Sequence, residues 1–255
     1  IRMNLSEDDI LKINNIVYDA GKAILDIYDT SFEVETKSDN SPLTQADKNA
    51  HLVIESGLIS LFPDIPILSE EGRNIPYSER KKWNCFWLVD PLDGTKEFVK
   101  RNGEFTVNIA LIKDNYPIFG SVYAPFKKEL FWASEGLGAW KSINKNKDKP
   151  IKVLKSNNKI RIVISRSHPN EKVIDYINQY NEHELIRMGS SLKLCCIADG
   201  KADIYPRLGP TSEWDIGAAQ CVVEQAGGSV LEYDTKSRLR YNKENILNPF
   251  FIVSA

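Results

Sequence analysis

The chain predicts a mixed fold, α+β in its first half and α/β in its second. Three observations carry this. Apolar residues recur at helical spacing near the start, β-rich segments follow one another in the middle, and strands alternate with helices after residue 150.

Ile10, Ile13, Ile16, Val17, Ala20, Ile24 and Ile27 predict an amphipathic helix over roughly residues 6 to 29, with Ser6 and Asp9 placed to cap it. Residues 33 to 43 are polar and read as a loop or an edge hairpin. Thr44-Gln45-Ala46-Asp47 opens a second helix that stops before Pro63. Ile65 to Leu68 is a short strand delivering Ser69-Glu70-Glu71-Gly72, and residues 73 to 84 form a charged connection.

Cys85 to Val89 reads as a buried strand. Phe105 to Ile112, Ile118 to Tyr123 and Leu130 to Ala133 form an antiparallel meander, because short Asn/Pro and Pro/Lys turns separate them. Residues 142 to 150 are the least structured stretch, where a domain boundary or a long surface turn would fall. Beyond it, strands at 160–164, 185–188 and 202–205 alternate with helices at 170–181, 190–199 and 214–226. Final strands follow near 229–231 and 250–253. The break separates an N-terminal region, 1–150, from a C-terminal region, 151–255. Candidate site residues lie on both sides, so the two are expected to form one compact catalytic unit.

Composition narrows the function. Lys and Arg total 33 against 35 Asp and Glu, a formal charge of -2, which gives no support to a nucleic-acid polymer as partner. No stretch approaches the ~18 apolar residues of a spanning helix, and the acidic N-terminus does not read as a signal peptide. Cys85, Cys195, Cys196 and Cys221 lack metal-like spacing and read as buried thiols. A cytoplasmic location is expected, with peripheral attachment to the inner membrane left open.

The most informative stretch is Asp90-Pro91-Leu92-Asp93-Gly94-Thr95, entered directly from the apolar run Phe86 to Val89. Two acids on a stiff turn at a strand end suit a hard divalent cation, which takes oxygen ligands at fixed positions. Without a cation, carboxylates gathered there raise one another's pKa. Glu70 after a strand, Asp47 at one helix start and Asp215 at another complete the acidic set. Each has an ordinary reading too: helix N-termini favour acids, and Glu70-Glu71 equally suits a solvated turn.

Taken in order, Glu70-Glu71, the Asp90 to Thr95 motif and Trp214-Asp215 resemble the lithium-sensitive, magnesium-dependent phosphatase superfamily. That group includes inositol monophosphatase, fructose-1,6-bisphosphatase and the 3'(2'),5'-bisphosphate nucleotidases. The resemblance covers essentially the whole chain and implies an alternating α-β-α-β-α layered fold. Glu70, Asp90 and the Leu92 carbonyl would hold one Mg²⁺. Asp90, Asp93 and Asp215 would hold a second, with a third, weaker ion near Glu70. Asp47, through Thr95, would orient and deprotonate the attacking water, and Gly94 and Thr95 would meet the phosphate. Such ions lower the pKa of the water and steady the leaving oxygen. With only His51, His168 and His183, a phosphohistidine route is disfavoured. No Walker-type GxxxxGK[ST] suggests a P-loop kinase.

Within the superfamily, Lys96-Glu97-Phe98, Ser165-Arg166-Ser167-His168, Gly189-Ser190-Ser191-Leu192-Lys193 and the run to Arg207 look like the bisphosphate nucleotidase branch. The resemblance implies substrate contacts from Lys96, Ser165, Arg166, His168, Gly189, Ser190, Lys193 and Arg207. Glu213 would be a sugar-hydroxyl acceptor, with metal ligation as its alternative. Relatives usually read Trp-Asp-x-Ala-Ala-Gly; here Gly217 has moved toward the helix start. The expected reaction converts 3'-phosphoadenosine 5'-phosphate, a by-product of sulfate activation, to AMP and phosphate, in a monomer or homodimer. The rivals are an inositol or sugar monophosphatase with the same metals, and a catalytically silent phospholigand-binding protein.

Overall fold

The computed structural model describes residues 5–30, 41–166 and 170–255. Helix α1 spans Glu7–Tyr28, opened by a reciprocal capping box between Ser6 and Asp9. Helix α2 spans Pro42–Leu61 and starts two residues earlier than expected, because Ser41 caps it and Pro42 fits its first turn. Most of the expected loop or hairpin over 33–43 lies outside the described residues.

Seven strands form the first sheet: β1 (Ile67–Ser69), β2 (Cys85–Asp93), β3 (Thr106–Lys113), β4 (Tyr116–Ala124), β5 (Glu129–Ser134), β6 (Gly138–Ile143) and β7 (Lys149–Ile151). They lie in sequence order. The β1–β2 pair is parallel and the rest are antiparallel. The last two strands extend the expected meander into the stretch read as unstructured. Its polar character belongs to an exposed edge, where Pro150 costs no interior hydrogen bond. The charged connection before β2 carries a short helix, α3 (Tyr77–Arg80), and a five-residue helix, α4 (Thr95–Val99), follows β2.

The second sheet has the order β11-β12-β10-β8-β9, from β8 (Ile160–Ser165), β9 (His183–Met188), β10 (Ile204–Arg207), β11 (Ser229–Glu232) and β12 (Phe251–Ser254). Between its strands run α5 (Glu171–Ile177), α6 (Leu192–Ala198) and α7 (Glu213–Gln225). Helix α6 begins two residues later than expected, because Ser190 sits at φ +46°, outside the right-handed helical region.

Burial on both faces of each sheet creates five layers. Trp87 and Val89 of β2 pack with α1 and α2, whereas Phe86 and Leu88 point the other way. That second face meets α6 and α7, whose far side meets Val163, Tyr205 and Val253 of the second sheet. Ile162, Ile164 and Ile204 on the outer face pack against Val173 and Ile177 of α5. The order is α-β-α-β-α, as the resemblance implied. Helix α7 can lie this close because Gly120 on β4 has no side chain: a Cβ there would stand 2.1 Å from the Ala218 carbonyl oxygen. Among the described residues, no helix is long and apolar enough to cross a membrane.

Candidate active site

Parallel pairing of β1 with β2 delivers the first acid. The ladder continues one residue past β1, with the Glu70 N–H donating to the Val89 carbonyl at 3.1 Å, so Glu70 emerges beside Asp90. Asp90 and Asp93 lie within β2, not on a turn after it. Asp90 pairs with Asn108 and Asp93 with Thr106, three steps on β2 against two on β3. This bulge accommodates Pro91, which a regular central strand would not. Asp90 is 1% exposed, and its Oδ1 accepts from the Leu92 N–H at 3.1 Å. Asp215 stands in the first turn of α7, and its Oδ2 accepts from the Ser212 N–H at 2.9 Å.

Glu70, Asp90 and Asp215 each offer a carboxylate oxygen within 4.8 Å of the others. Glu70 and Asp215, expected on different ions, thus stand together around the shared Asp90. Asp93 joins through Ser191, whose backbone N–H and hydroxyl lie 2.7 and 2.9 Å from Asp93 Oδ2. The same hydroxyl is 2.7 Å from the Asp215 carbonyl oxygen, and it accepts from Asn108 Nδ2 at 2.8 Å.

Crowding sets the electrostatics. Burial pushes the Asp90 carboxyl well above its ordinary value, and the charges of Asp93, Glu70, Asp215 and Asp47 push it the same way. Asp215 is raised to about 7, first by burial and then by Asp93, with Glu70 adding and the Ser212 N–H and Arg207 opposing. Oxygen donors without sulfur or nitrogen, two of them, Asp90 and Asp215, held back from ionising by burial and neighbouring charge, fit a hard cation such as Mg²⁺, whose charge relieves the repulsion.

Asp47 is buried in the second turn of α2, which packs against α4, the helix that Thr95 begins. Gly94 precedes Thr95 at φ +91°, and a Cβ there would come within 3.0 Å of both Glu104 O and Ser190 Cβ. The metal turn and the 189–191 turn thus touch directly. Beside them opens a cavity of about 580 Å³, lined by Asp93, Gly94, Thr95, Lys96 and Asp215 together with Ser165, Ser190, Lys193 and Arg207. Lys193 is 8% exposed, with Nζ 5.8 Å from the Tyr205 ring centre. Arg207 Nη2 donates to the Pro210 carbonyl at 2.6 Å. Ser190 Oγ is buried with no protein hydrogen-bond partner.

Three expected substrate residues do not line this cavity. Arg166 pairs with Glu104, and the Gly189 N–H donates to that same carboxylate. Glu213 is 0% exposed; it accepts from the Asn242 and Lys243 N–H groups and from Lys243 Nζ at 2.7–2.9 Å. It clamps the 242–243 segment and takes neither the sugar-hydroxyl nor the metal role expected of it. His168 lies outside the described residues.

Sequence reasoning missed Asn108, Ser191 and Glu104. Asn108 left a signal, a lone amide in the apolar run Val107 to Ile112. Ser191 stood inside the Gly189 to Lys193 segment that carries the resemblance, but a serine before a helix looks like any cap, so its tie to Asp93 was not foreseen.

Five layers, buried acids suited to a hard cation and a cavity carrying Lys and Arg are the equipment of a metal-dependent phosphatase. The sequence profile of the inositol monophosphatase family matches residues 6–250. The chain belongs to that family. Within it, the likeness is to the CysQ type. The CysQ 3'(2'),5'-bisphosphate nucleotidase of Salmonella typhimurium is 45% identical over 245 residues, 95% of this chain and 98% of that protein. Its Escherichia coli K12 counterpart is 46% identical over the same shares. The crystal structure of CysQ from Bacteroides thetaiotaomicron superposes with a TM-score of 0.90 at 41% identity, covering 98% of this chain and 97% of that one.

Proposed function

We propose that the protein is a Mg²⁺-dependent phosphomonoesterase that converts 3'-phosphoadenosine 5'-phosphate to AMP and phosphate. One observation carries the substrate reading: the cavity that meets Asp93 and Asp215 is also lined by Lys96, Lys193 and Arg207. A single phosphate held by metal leaves those cations without a role, whereas a second phosphate supplies one. The CysQ relatives support the same choice.

Glu70, Asp90, Asp93, Asp215 and the Leu92 carbonyl would hold two ions, with a third, weaker site beside Glu70. Bound there, Mg²⁺ supplies positive charge against the phosphoryl oxygens and acidifies the attacking water. The chain's own groups do the rest. Thr95 accepts the water's proton as its own hydroxyl proton passes to Asp47, which fixes the line of attack. The bond from phosphorus to the 3'-oxygen breaks opposite the new bond to the water oxygen, and the leaving alkoxide takes up a proton from solvent water, while the proton on Asp47 returns to solvent. Gly94 and Thr95 meet the phosphate being transferred. Lys193, Arg207, Ser190 and Lys96 hold the 5'-phosphate and ribose, with Ser165 at the cavity wall.

Acids from β1, β2 and α7 meet at one point, so the regions 1–150 and 151–255 act as one catalytic unit. The four free thiols suit a reducing cytoplasm, where the enzyme would clear a by-product of sulfate activation. A phosphate-release panel in Mg²⁺ tests the reading, with 3'-phosphoadenosine 5'-phosphate, inositol 1-phosphate and fructose 1,6-bisphosphate as substrates. Preference for the nucleotide is expected; preference for inositol 1-phosphate overturns the substrate, and no turnover of any of them overturns the activity.

A further inference from the structure

The Glu104 carboxylate is buried, its side chain 6% exposed, yet it lies beside the site without lining the cavity. Arg166, half-exposed at the end of β8, grips it with two prongs, Nε at 2.8 Å and Nη2 at 2.5 Å. Lys127 Nζ stands further off at 4.0 Å. The oxygen that takes Arg166 Nε also accepts the Gly189 N–H at 2.8 Å.

What this grip holds is a turn with an unfavourable backbone conformation. Ser190 adopts φ +46°, a conformation unfavourable for a residue with a side chain. The turn also packs too tightly for any other residue at 189. A Cβ on Gly189 would lie 2.5 Å from Glu97 Cγ and 3.0 Å from the Glu104 carbonyl oxygen. That same carbonyl lies 3.0 Å from where a Cβ on Gly94 would be. Glu104 therefore sits between the two turns, its backbone against both and its side chain tied to one.

We propose that Glu104 and Arg166 are a positioning pair that fixes the Gly189–Ser190 turn against the metal turn, and that Arg166 acts through Glu104 and not on substrate. The pair sets the place of Ser190 in the cavity wall and of the Ser191 N–H that Asp93 accepts. A two-pronged guanidinium–carboxylate contact, with the carboxylate buried, is suited to this, since it fixes direction as well as distance. The proposal rests on reading the cavity as the phosphate-ester site.

The test compares Arg166→Met, Arg166→Lys, Glu104→Ala and the Arg166→Met/Glu104→Ala double variant with the wild type. Turnover is read on 3'-phosphoadenosine 5'-phosphate and on 3'-AMP, which lacks the second phosphate. Hydrogen exchange of the Gly189 amide is read by NMR. Displacement of the turn should lower kcat/KM by about a hundredfold, equally for both substrates to within about threefold. The double variant should be no worse than the poorer single variant, because the two residues act as one unit. The Gly189 amide should exchange faster in every variant, least in Arg166→Lys, which keeps the charge and one prong. Should Arg166→Met not fold, Arg166→Lys carries the same comparison. Loss of the bisphosphate alone in the Arg166 variants, or additive losses in the double variant, overturns the proposal. So does unchanged Gly189 exchange in Glu104→Ala. A wild type that does not turn over the bisphosphate counts against the substrate reading only, because amide exchange tests the pair without substrate.

Discussion

Ser191 binds Asp93 twice through one oxygen, by its backbone N–H at 2.7 Å and its hydroxyl at 2.9 Å. The hydroxyl has one proton, and the Asp215 carbonyl at 2.7 Å competes for it. Asn108 donates to the hydroxyl from the far side, so the Ser191 proton must point toward the two acidic residues. Ser191→Ala keeps the backbone N–H bond to Asp93, removes the hydroxyl bonds and leaves Asn108 Nδ2 without its acceptor. Supports of this kind are worth about ten- to a hundredfold in metal affinity. Calorimetric titration of Mg²⁺ should show that weakening, with much of kcat regained at saturating Mg²⁺.

Asp90 is the acid that burial and its neighbours most disfavour as an anion. Asp90→Asn keeps the oxygen that accepts from Leu92 and removes the charge. The metal-free variant should be more stable than the metal-free wild type at pH 8, by about 1–4 kcal/mol in urea denaturation. Turnover should fall by on the order of a thousandfold, and Mg²⁺ should no longer raise the melting temperature.

The raised pKa values give a signed pH dependence. Asp215, ordinarily near 3.8, titrates at about 7 in the folded chain, so between those values the folded state holds a proton that the unfolded state has released. That contribution to stability is complete below pH 3.8 and is lost as pH rises through 7. Asp90 acts in the same direction. Burial would raise Glu104 and Asp203 too, but hydrogen bonds from Arg166 and Arg161 bring both below their ordinary values, so they change only at the acid end. In EDTA the melting temperature should therefore fall from pH 5 to pH 8. Mg²⁺ replaces the protons, so its stabilising effect should be larger at pH 8. A Mg²⁺ effect larger at pH 5 would contradict this account.

Gly120→Ala tests the packing that seats α7. Its methyl would meet the backbone of Ala218, which has no flexible end to move aside. Overpacking against backbone should cost about 1–3 kcal/mol in denaturant unfolding. Since α7 carries Asp215, Mg²⁺ affinity should weaken in parallel.

Most strands and helices were legible because they obey simple patterning, with continuous apolar runs such as Phe86 to Val89 where both faces are covered, whereas the five-layer order came from the family resemblance. Strand β7 escaped because an exposed edge needs no apolar face and Lys149-Pro150 reads as a turn, and β6 because Lys141 and Ser142, polar although buried, interrupt its apolar pattern. Asp90, Asp93 and Asp215 were legible as acids adjoining apolar stretches, where charge is costly without a partner. The second ring of the site was not. Whether Arg166 meets a phosphate or Glu104 depends on a contact across 62 residues, and nothing local encodes it. Glu213 shows the same limit: beside Trp214-Asp215 it looked functional, but its partners are Asn242 and Lys243.

The slip in register between β2 and β3 gives meaning to the number of residues between the two aspartates. On an unbroken strand, side chains three apart face opposite sides of the sheet. The surplus residue cancels that oddness and turns Asp93 back toward Asp90. A spacing of two would also have put the acids on one side, but with every peptide between them engaged in the ladder. At a spacing of three, Pro91 and Leu92 share a single opposite number, Val107 of β3, and neither is regularly paired. Pro91 has no N–H to satisfy, and the Leu92 N–H is taken by Asp90. The odd count thus leaves room between the two acids for the Leu92 carbonyl, the neutral oxygen donor of the proposed metal set. Inserting or deleting one residue there would disable the site while leaving every acid in the chain.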